Sequence, residues 1–464
     1  MLAALTAAAQ AQPAADVWAR GQELAASIAR PAIADADYRI ADYGASTSAD
    51  ALTNMDAINK AIDAASCNGG GRVLVPAGEW LTGPITLKSG VNLVVEKDAV
   101  LKFSTVREHY LPVVLTRWEG IDCYNLHPLI YAYGQNDIAI TGQGTIDGQA
   151  TKETWWHQCG STRYGWKPGM LSQRAPGHGR VRLTECEQND VPVEERVMAV
   201  ADALRPQLIN LYKCERVLID GVTLRNSPFW VIHPVMVNQL TVSNVTIISH
   251  GPNSDGCDPE SSRNVLIENC FFDTGDDCIA IKSGRNNDGR RWNLPSENIV
   301  VRNCHMKNGH GGVVVGSEIT GGYRNLWVEN CTMDSPELER VIRIKTNPCR
   351  GGLIENIFVR NIKVGQCREA VLKINLDYEP REACRRDFPP TVRNVLMQNV
   401  ESQSSKYGVY IVGLKDAQTV NVEDISLVDC SFDGVKQGNS ITGAKGISFS
   451  NYRLNGQQQT PDAQ

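Results

Sequence analysis

The segment "VLIENCFF" at residues 265–272 is followed by "IVVRNCHM" at 299–306 and by "LWVENCTM" at 326–333. In each segment an apolar alternation leads to Asn, and a second alternation follows. Alternation with a period of two is typical of β-strands, and Asn is favoured in turns. The three segments therefore predict a repeated strand–turn–strand unit.

The same pattern recurs through the second half of the chain. Its polar position falls at eight places, with steps of 24, 25, 34, 27, 31, 38 and 25 residues. These places are Asp220, Asn244, Asn269, Asn303, Asn330, Asn361, Asn399 and Asp424. Such a period without amphipathic helices between the units predicts one coil of a parallel β-helix per unit, with loops inserted where the step is longer. We expect an all-β solenoid in which each Asn bonds the same residue one coil along.

The chain has 14 cysteines, an even number that would suit disulfides in an exported protein. Cys270, Cys304 and Cys331 each follow the repeated Asn. They predict an inward ladder of apolar thiols about 4.8 Å apart. Closely spaced CxxC pairs are absent, which argues against zinc. The better disulfide candidates are Cys159 and Cys186, and further possibilities are Cys349, Cys367 and Cys384.

The ends of the chain carry weaker signals. Residues 1–36 contain an alanine-rich run and a small-x-small site, and we expect a signal-peptide remnant or a disordered tail with a lead-in. Apolar spacing near residues 53–66, after a start that resembles a capping box at Thr53 and Asp56, predicts a helix that covers the open end of the solenoid. We expect residues 456–464 to be disordered.

Between the two ends we expect a single β-helix domain over residues 37–455. The strand alternation disappears over 148–207, which predicts an inserted loop region near the cleft. No apolar run reaches the roughly 20 residues that a membrane span needs.

Charge is unevenly distributed along the chain. The net charge of −6 argues weakly against a general nucleic-acid binder. Residues 282–350, however, contain eleven basic and seven acidic residues. This local excess of positive charge would attract an anionic polymer such as a polyuronate.

Six titratable residues follow the repeated Asn by 7 to 15 residues in four successive coils, so all of them would lie on the strand after the same corner, allowing for turns of variable length. They are Asp255, Asp276, Asp277, His310, Arg343 and Lys345. Crowded carboxylates raise the pKa of at least one of them, which leaves a protonated acid beside ionised bases. An acid and a base are what cleavage of an acetal bond requires. Calcium binding is the alternative, although "NSDGCD" is too short for an EF-hand loop.

Local sequence around these residues supports a site. Asp276 and Asp277 are adjacent before an apolar run, where a regular strand would send them to opposite faces, and Gly275 would allow the necessary bend. Glycines flank His310 and clear space around it. Arg343 lies two residues before Lys345, so both point to one face and invite an anionic ligand.

The segments "NSDGCD", "TGDDCIAIKSG", "GHGG" and "RIK", in this order, resemble the signature segments of glycoside hydrolase family 28, the polygalacturonases. The resemblance covers most of the chain, although Ser254 stands where the family more often has Thr. It implies a right-handed parallel β-helix that hydrolyses α-1,4-galacturonosidic bonds with inversion. It implies no metal and no organic cofactor.

The resemblance also implies roles for matching residues. Asp276 would protonate the glycosidic oxygen, and Asp255 and Asp277 would hold and deprotonate the attacking water. His310 would support the protonation state of the acid. The expected substrate-binding residues are Asn253, Lys282, Arg343, Lys345 and Tyr378.

Three segments, at 117–134, 155–156 and 205–214, are similar to those of bacterial members that release units from the chain end. We therefore expect exo action by a secreted or periplasmic monomer on polygalacturonate or a pectic oligosaccharide, without nucleic-acid or membrane partners. The alternatives are endo action, a rhamnogalacturonan hydrolase, a β-helix lyase, and a non-catalytic carbohydrate-binding β-helix such as an adhesin.

Overall fold

The computed structural model describes residues 14–379, 382–414 and 420–461. Helices are few among these residues. The α-helices are α1 (Ala14–Ser27), α2 (Ala51–Cys67), α3 (Gly179–Gln188) and α4 (Asn286–Trp292).

Strands dominate the described residues. The first eighteen strands are β1 (Asp37–Arg39), β2 (Gly71–Val75), β3 (Gly78–Thr82), β4 (Ile85–Thr86), β5 (Val91–Val95), β6 (Ala99–Phe103), β7 (Val114–Trp118), β8 (Ile121–Asn125), β9 (Ile130–Tyr133), β10 (Asn136–Gly142), β11 (Thr145–Asp147), β12 (Ile209–Tyr212), β13 (Glu215–Asp220), β14 (Thr223–Arg225), β15 (Ile232–Val235), β16 (Asn238–Ser243), β17 (Thr246–Ser249) and β18 (Arg263–Glu268). They are followed by β19 (Phe271–Thr274), β20 (Ile279–Ile281), β21 (Ser296–Arg302), β22 (His305–Met306), β23 (Val313–Val315), β24 (Tyr323–Glu329), β25 (Thr332–Met333), β26 (Arg340–Lys345), β27 (Leu353–Val364), β28 (Ala370–Asn375), β29 (Thr391–Ser402), β30 (Tyr407–Val412), β31 (Val422–Val428), β32 (Ser431–Phe432), β33 (Ser440–Thr442), β34 (Ala444–Ser450), β35 (Arg453–Leu454) and β36 (Gln457–Gln458).

The strands wind into a right-handed parallel β-helix, as predicted. A typical coil contributes three strands, such as β18, β19 and β20, and each pairs in parallel with its counterpart one coil further along. The third strand of each coil builds the face that carries the candidate site. Here β20, β23, β26, β28, β30 and β33 lie side by side in that order.

The core is a stack of matching apolar side chains. Ile267 pairs with Val301, Val301 with Val328, and Val328 with Val359, and all four are fully buried. Because every inward residue contacts its equivalents above and below, burial extends along the helix axis instead of converging on one centre.

Asparagine ladders run along the corners, as expected. Asn361 donates its side-chain amide to Asn330 at 3.0 Å, and Asn399 donates to Asn361 at 2.7 Å. These residues have positive φ, which Asn adopts more easily than most side chains. The turn role of the repeated Asn is confirmed.

The predicted register is wrong at both ends of the repeat. In the first unit the predicted turn residue, Asp220, still lies in the strand, where it pairs with Ser243. The residue with a left-handed backbone is the next one, Gly221. In the last unit Asp424 stands opposite Asn394, at an earlier corner. The αL residue that follows strand β31 is Asp429, whose carboxylate accepts from Asn451 at 2.9 Å.

A second asparagine ladder was not predicted. It lies where each long strand enters its coil, and its links measure 2.7–3.2 Å. Its members are Asn238, Asn264, Asn298, Asn325, Asn356 and Asn394. Each of these asparagines precedes the apolar run that defined the repeat, so the ladder was overlooked.

The cysteine ladder is confirmed, since Cys270, Cys304 and Cys331 are all buried in matching places. The favoured disulfide is wrong. Cys159 and Cys186 are free thiols, and the bond joins Cys349 to Cys384, with Cα atoms 5.8 Å apart. Cys367, the remaining possibility, is free.

Helix α2 covers the N-terminal end of the solenoid, as predicted, and buries Ile58 and Ile62 against the first strands. Its start differs from the prediction. The cap is Asp50, whose carboxylate accepts from the amides of Leu52 and Thr53 at 2.9 and 3.1 Å. An acceptor directly before the first turn satisfies the free amides there, so the predicted capping box is not needed.

The terminal segments are more ordered than predicted. Residues from 14 onward form α1, because Trp18 packs against Phe358 and Trp327 on the outer face of the sheet. Residues 1–13 lie outside the described part. In the segment predicted to be a disordered tail, β36 turns back to pair with β35. No described helix is long and apolar enough to cross a membrane.

Candidate active site

Asp255 and Asp277 occupy matching places in successive coils, as their spacing predicted. Cys257 and Ile279 form a bridge two residues further along, and the amide of Gly256 donates to the carbonyl of Asp277 at 3.0 Å. Both aspartates are buried. The register of the solenoid therefore brings the two carboxylates to the same face.

Asp276 and Asp277 share the corner between β19 and β20. The amide of Asp277 donates to the Asp276 carboxylate at 2.9 Å. Gly275 is needed for space: a Cβ there would lie 2.5 Å from the carbonyl oxygen of Gly251 in the preceding coil. The corner packs so closely on the coil before it that only glycine fits.

The three carboxylates converge on one point. One oxygen each of Asp255, Asp276 and Asp277 lies within 4.8 Å of the others. This set could hold a cation, but Lys345 and Arg343 already contact Asp277, and His310 contacts Asp276. These closest oxygens are nearer to one another than the roughly 6.5–9.5 Å that commonly separates the two carboxyl groups of inverting glycosidases.

His310 contacts Asp276 in two ways. Its Nδ1 lies 3.0 Å from the Asp276 carboxylate, and its backbone amide donates to the Asp276 carbonyl at 3.0 Å. The side chain of His310 is 43% exposed and that of Asp276 is 20% exposed. Of the three carboxylates, Asp276 is therefore the most accessible to a ligand.

Arg343 and Lys345 point outward from β26 onto Asp277. Lys345 Nζ donates to Asp277 at 2.7 Å, and Arg343 Nη1 lies 3.4 Å from the other oxygen. The ring of Tyr378 lies 5.5 Å from both cationic groups. The structure thus brings together the predicted cation pair and Tyr378.

Burial and neighbouring charges shift the pKa values of Asp255 and Asp276 in opposite directions. Burial raises the pKa of Asp255 well above its usual value, and the negative charges of Asp276 and Asp258 add to that effect. Burial also acts to raise the pKa of Asp276, but the His310 hydrogen bond and the charges of His310, Lys345 and Arg343 outweigh it and lower that pKa. One carboxyl group of the cluster therefore retains a proton while its neighbour is ionised.

Lys282 lies underneath the site. It is buried, its Nζ lies 3.2 Å from Glu318 and 3.6 Å from Asp258, and it sits over the ring of Trp230 at 4.5 Å. These contacts give Lys282 an electrostatic role behind the carboxylates. In this conformation its predicted direct contact with substrate is not available.

Sequence reasoning missed several members of this buried network. Asp258 is fully buried, and burial raises its pKa well above the usual value. It is the last residue of "NSDGCD", and its spacing from Asp255 could have indicated it. Glu318 contacts Lys282 from the next coil and follows an irregular loop, so no repeat position pointed to it.

Asn253, the remaining predicted substrate-binding residue, is half-buried and in the left-handed region, with φ of 55°. Its side-chain oxygen accepts a hydrogen bond at 2.8 Å from Arg205. The asparagine therefore lies beside Asp255 but faces partly into the protein.

The cleft is closed on the side that precedes Asp255. Strands β7 and β8 form an antiparallel hairpin, and together with α3 and residues 196–205 they make what we call the end wall. The wall has its own apolar core, in which Trp118 stacks on Phe229 at 4.8 Å. It covers the outward side of β12, where Thr116 bonds Asn210 at 3.0 Å.

The insertion predicted over 148–207 supplies α3 and the segment around Arg205, whereas the hairpin lies earlier in the chain. The same insertion carries Tyr164, which lines a cavity of about 220 Å³ together with His250 and His310. His310 lines this cavity and also contacts Asp276, so the cavity adjoins the carboxylate cluster. It provides room beside the carboxylates on the side of the insertion.

Comparison with known proteins agrees with this geometry. A family model described as "Glycosyl hydrolases family 28" matches residues 198–449. A probable polygalacturonase of Vitis vinifera is 32% identical over 303 residues, which are 63% of this chain and 53% of that protein. An exo-poly-alpha-D-galacturonosidase of Dickeya chrysanthemi is 28% identical over 405 residues, 81% of this chain and 64% of that protein.

The chain thus spans about half to just under two thirds of the length of these two relatives. Among solved structures, a hyperthermoactive exopolygalacturonase from Thermotoga maritima is 40% identical, with a TM-score of 0.90, and the match covers 96% of this chain and 97% of that one.

Proposed function

Because the chain belongs to glycosyl hydrolases family 28, we propose that it hydrolyses α-1,4-galacturonosidic bonds of polygalacturonate or pectin from the chain end. The observation that carries this proposal is the cluster of Asp255, Asp276 and Asp277 beneath a paired Arg343 and Lys345. The carboxylates supply acid and base, and the cations suit the carboxylate of a uronic acid.

The end wall supports exo action. It occupies the coils that precede Asp255, so a polymer cannot extend along the face in that direction. The wall is held by a buried core and by an Arg117–Glu260 ion pair at 3.3 Å, which ties the hairpin to the site strands. A fixed wall admits a chain end and excludes the middle of a chain.

The charges suggest how Asp276 receives its proton. In the free enzyme the raised pKa of Asp255 keeps the shared proton there, while Lys345 and Arg343 help to keep Asp276 ionised. A substrate carboxylate bound to these cations offsets their charge, so the proton affinity of Asp276 rises. Transfer of the shared proton then leaves Asp276 as the acid and Asp255 as a base.

The first test is a time course of products from polygalacturonic acid, with Asp276→Asn alongside. We expect saturated mono- or digalacturonate from the start, and a fall of about 10²–10⁴-fold in kcat in the variant, since it cannot protonate the leaving oxygen. A ladder of intermediate oligomers would instead indicate endo action. Unsaturated ends would indicate a lyase, and activity on rhamnogalacturonan alone would move the substrate to that polymer.

Inversion is a separate expectation, because the close carboxylates would fit a retaining enzyme by spacing alone. Asp277 is held by Lys345 and Arg343 and is poorly placed to form a covalent bond. We expect proton NMR to show the β-anomer of the new reducing end first. Initial appearance of the α-anomer would contradict the proposed water attack.

Export is part of the proposal. The Cys349–Cys384 bond is of a kind that persists in oxidising compartments, and a pectic polymer lies outside the cell. We expect activity in the secreted or periplasmic fraction of the producing cell, and recovery in the cytoplasmic fraction would contradict this. The monomeric state stays a prediction, to be checked by light scattering.

A further inference from the structure

Arg205 is a fully buried arginine at the junction of the end wall and the candidate site. Six arginines are buried in the described part of the chain, and the other five each have a carboxylate within 4.0 Å. Arg205 has no such carboxylate partner, and burial lowers its pKa to about 10. An uncompensated buried cation is costly, so its other contacts must explain why it is there.

The hydrogen bonds of the guanidinium all lead to neutral oxygens, and its Cζ also lies 5.2 Å from the centre of the Phe229 ring. Nη1 donates to the carbonyl of Pro228 at 2.8 Å and to that of Pro252 at 2.6 Å. Nη2 donates to the side chain of Asn253 at 2.8 Å. Weaker contacts at 3.4 and 3.5 Å reach Gln173 in the insertion.

The two carbonyls belong to successive coils. Pro228 precedes strand β15, and Pro252 lies three residues before Asp255 at the equivalent corner of the next coil. Downstream of both, the amide of Val231 donates to the carbonyl of Asp255 at 2.8 Å. The guanidinium thus clamps the two corners at the point where the catalytic segment begins.

We propose that Arg205 is a positioning residue that fixes the Pro252–Asn253 corner and thereby holds the Asp255 carboxylate in the cluster. The planar fork of arginine bonds two carbonyls and an amide oxygen in a fixed geometry, which the compact, freely rotating ammonium of a lysine does not reproduce. Arg205 belongs to the end wall, since Trp118 donates to its carbonyl at 3.1 Å. The wall therefore both closes the cleft and orients the base.

The activity arm of the test rests on the proposed function. Arg205→Lys keeps the positive charge but lacks the planar guanidinium group. We expect kcat on a short galacturonide to fall by about 100-fold, the scale expected for a misplaced catalytic group, with little change in KM. Arg196→Lys is the matched control: Arg196 is equally buried in the wall and bonds Asp288 at 2.8 Å. It should lose stability and keep its kcat.

A second measurement does not depend on activity. Hydrogen exchange should accelerate at the amides of Gly256 and Cys257 in Arg205→Lys and stay unchanged in the control. If Arg205→Lys does not fold, Asn253→Ala removes one of the same contacts and should produce a smaller effect of the same kind. Unchanged exchange at both amides, or an unchanged kcat in an enzyme that does cleave galacturonan, would overturn the proposal. Inactive parent protein with accelerated exchange would refute only the proposed function.

Discussion

Asp255 is the residue at which the proposed catalysis and the stability of the fold conflict most clearly. Burial and the charges of Asp276 and Asp258 raise its pKa in the folded protein, whereas the unfolded chain ionises it at a pH of about 3.9. A raised carboxyl pKa contributes stability below the unfolded pKa, and that contribution is lost as the pH rises toward the folded pKa.

Asp255→Asn should therefore become more stable than the parent protein, and the difference should grow from about pH 4 to neutral pH. Thermal unfolding at several pH values measures the difference. Asp433→Asn, which removes a carboxylate at an exposed site, is the control. A difference that shrinks with rising pH would show that Asp255 is stabilised in its ionised form.

Spacing predicted the residues of the site better than it predicted their partners. Asp255 and Asp277 could be placed together because one coil separates them and the register is constant. Lys282 was predicted to face substrate, yet it lies among Asp258, Glu318 and Trp230. These contacts join three coils and a loop, and no sequence period encodes how deep a long side chain lies.

At the scale of elements, the second asparagine ladder sets the corner where each coil begins. Asn325 has φ of 68°, donates to Asn298 at 2.9 Å and accepts from Asn356 at 2.9 Å. Two requirements therefore meet at one position: a left-handed backbone and a side chain with both donor and acceptor.

Replacing Asn325 separates these requirements. Asn325→Ala should lose about 2–4 kcal/mol of unfolding free energy, because both ladder bonds disappear and alanine resists the left-handed conformation. Asn325→Gly also loses both ladder bonds, but glycine adopts the left-handed conformation readily. Its unfolding free energy should therefore be about 1 kcal/mol higher than that of Asn325→Ala. Chemical denaturation measures both values. Equal losses would show that the backbone conformation is not a factor at this corner.

Helix α1 and the disulfide are two features that the sequence did not predict. The cap α2 follows from apolar spacing, but α1 was predicted to be disordered because its alanine-rich sequence gives little sign that Trp18 has a place to pack. The disulfide was misassigned since Cys349 and Cys384 lie in irregular loops, whose approach depends on the chain between them.

At the scale of the whole molecule, the proposed function makes the end wall the feature that determines which bonds can be cut. Trp118 is fully buried, stacks on Phe229 and anchors the hairpin to Arg205. Trp118→Ala should cost about 3–5 kcal/mol of stability. It should also allow longer oligomers to appear early in digestion, because a loosened hairpin admits internal segments of the polymer.

Trp327→Ala is the matched variant on the opposite side of the solenoid, where Trp327 packs beneath α1. It should lose stability without any change in the product pattern. Chromatography of early digests compares the two variants. Identical products from both would show that the hairpin does not limit access to the cleft.

In the proposed exo action, the end wall leaves the cleft with a single opening, and this would fix the order in which molecules depart. Once a terminal sugar is cut off, it lies between the wall and the shortened polymer. It can leave only after the polymer has withdrawn, so every cycle ends with dissociation of the long product. Such an enzyme acts distributively: successive cuts fall on different chains, and the rate of digestion follows the number of chain ends instead of the mass of polymer.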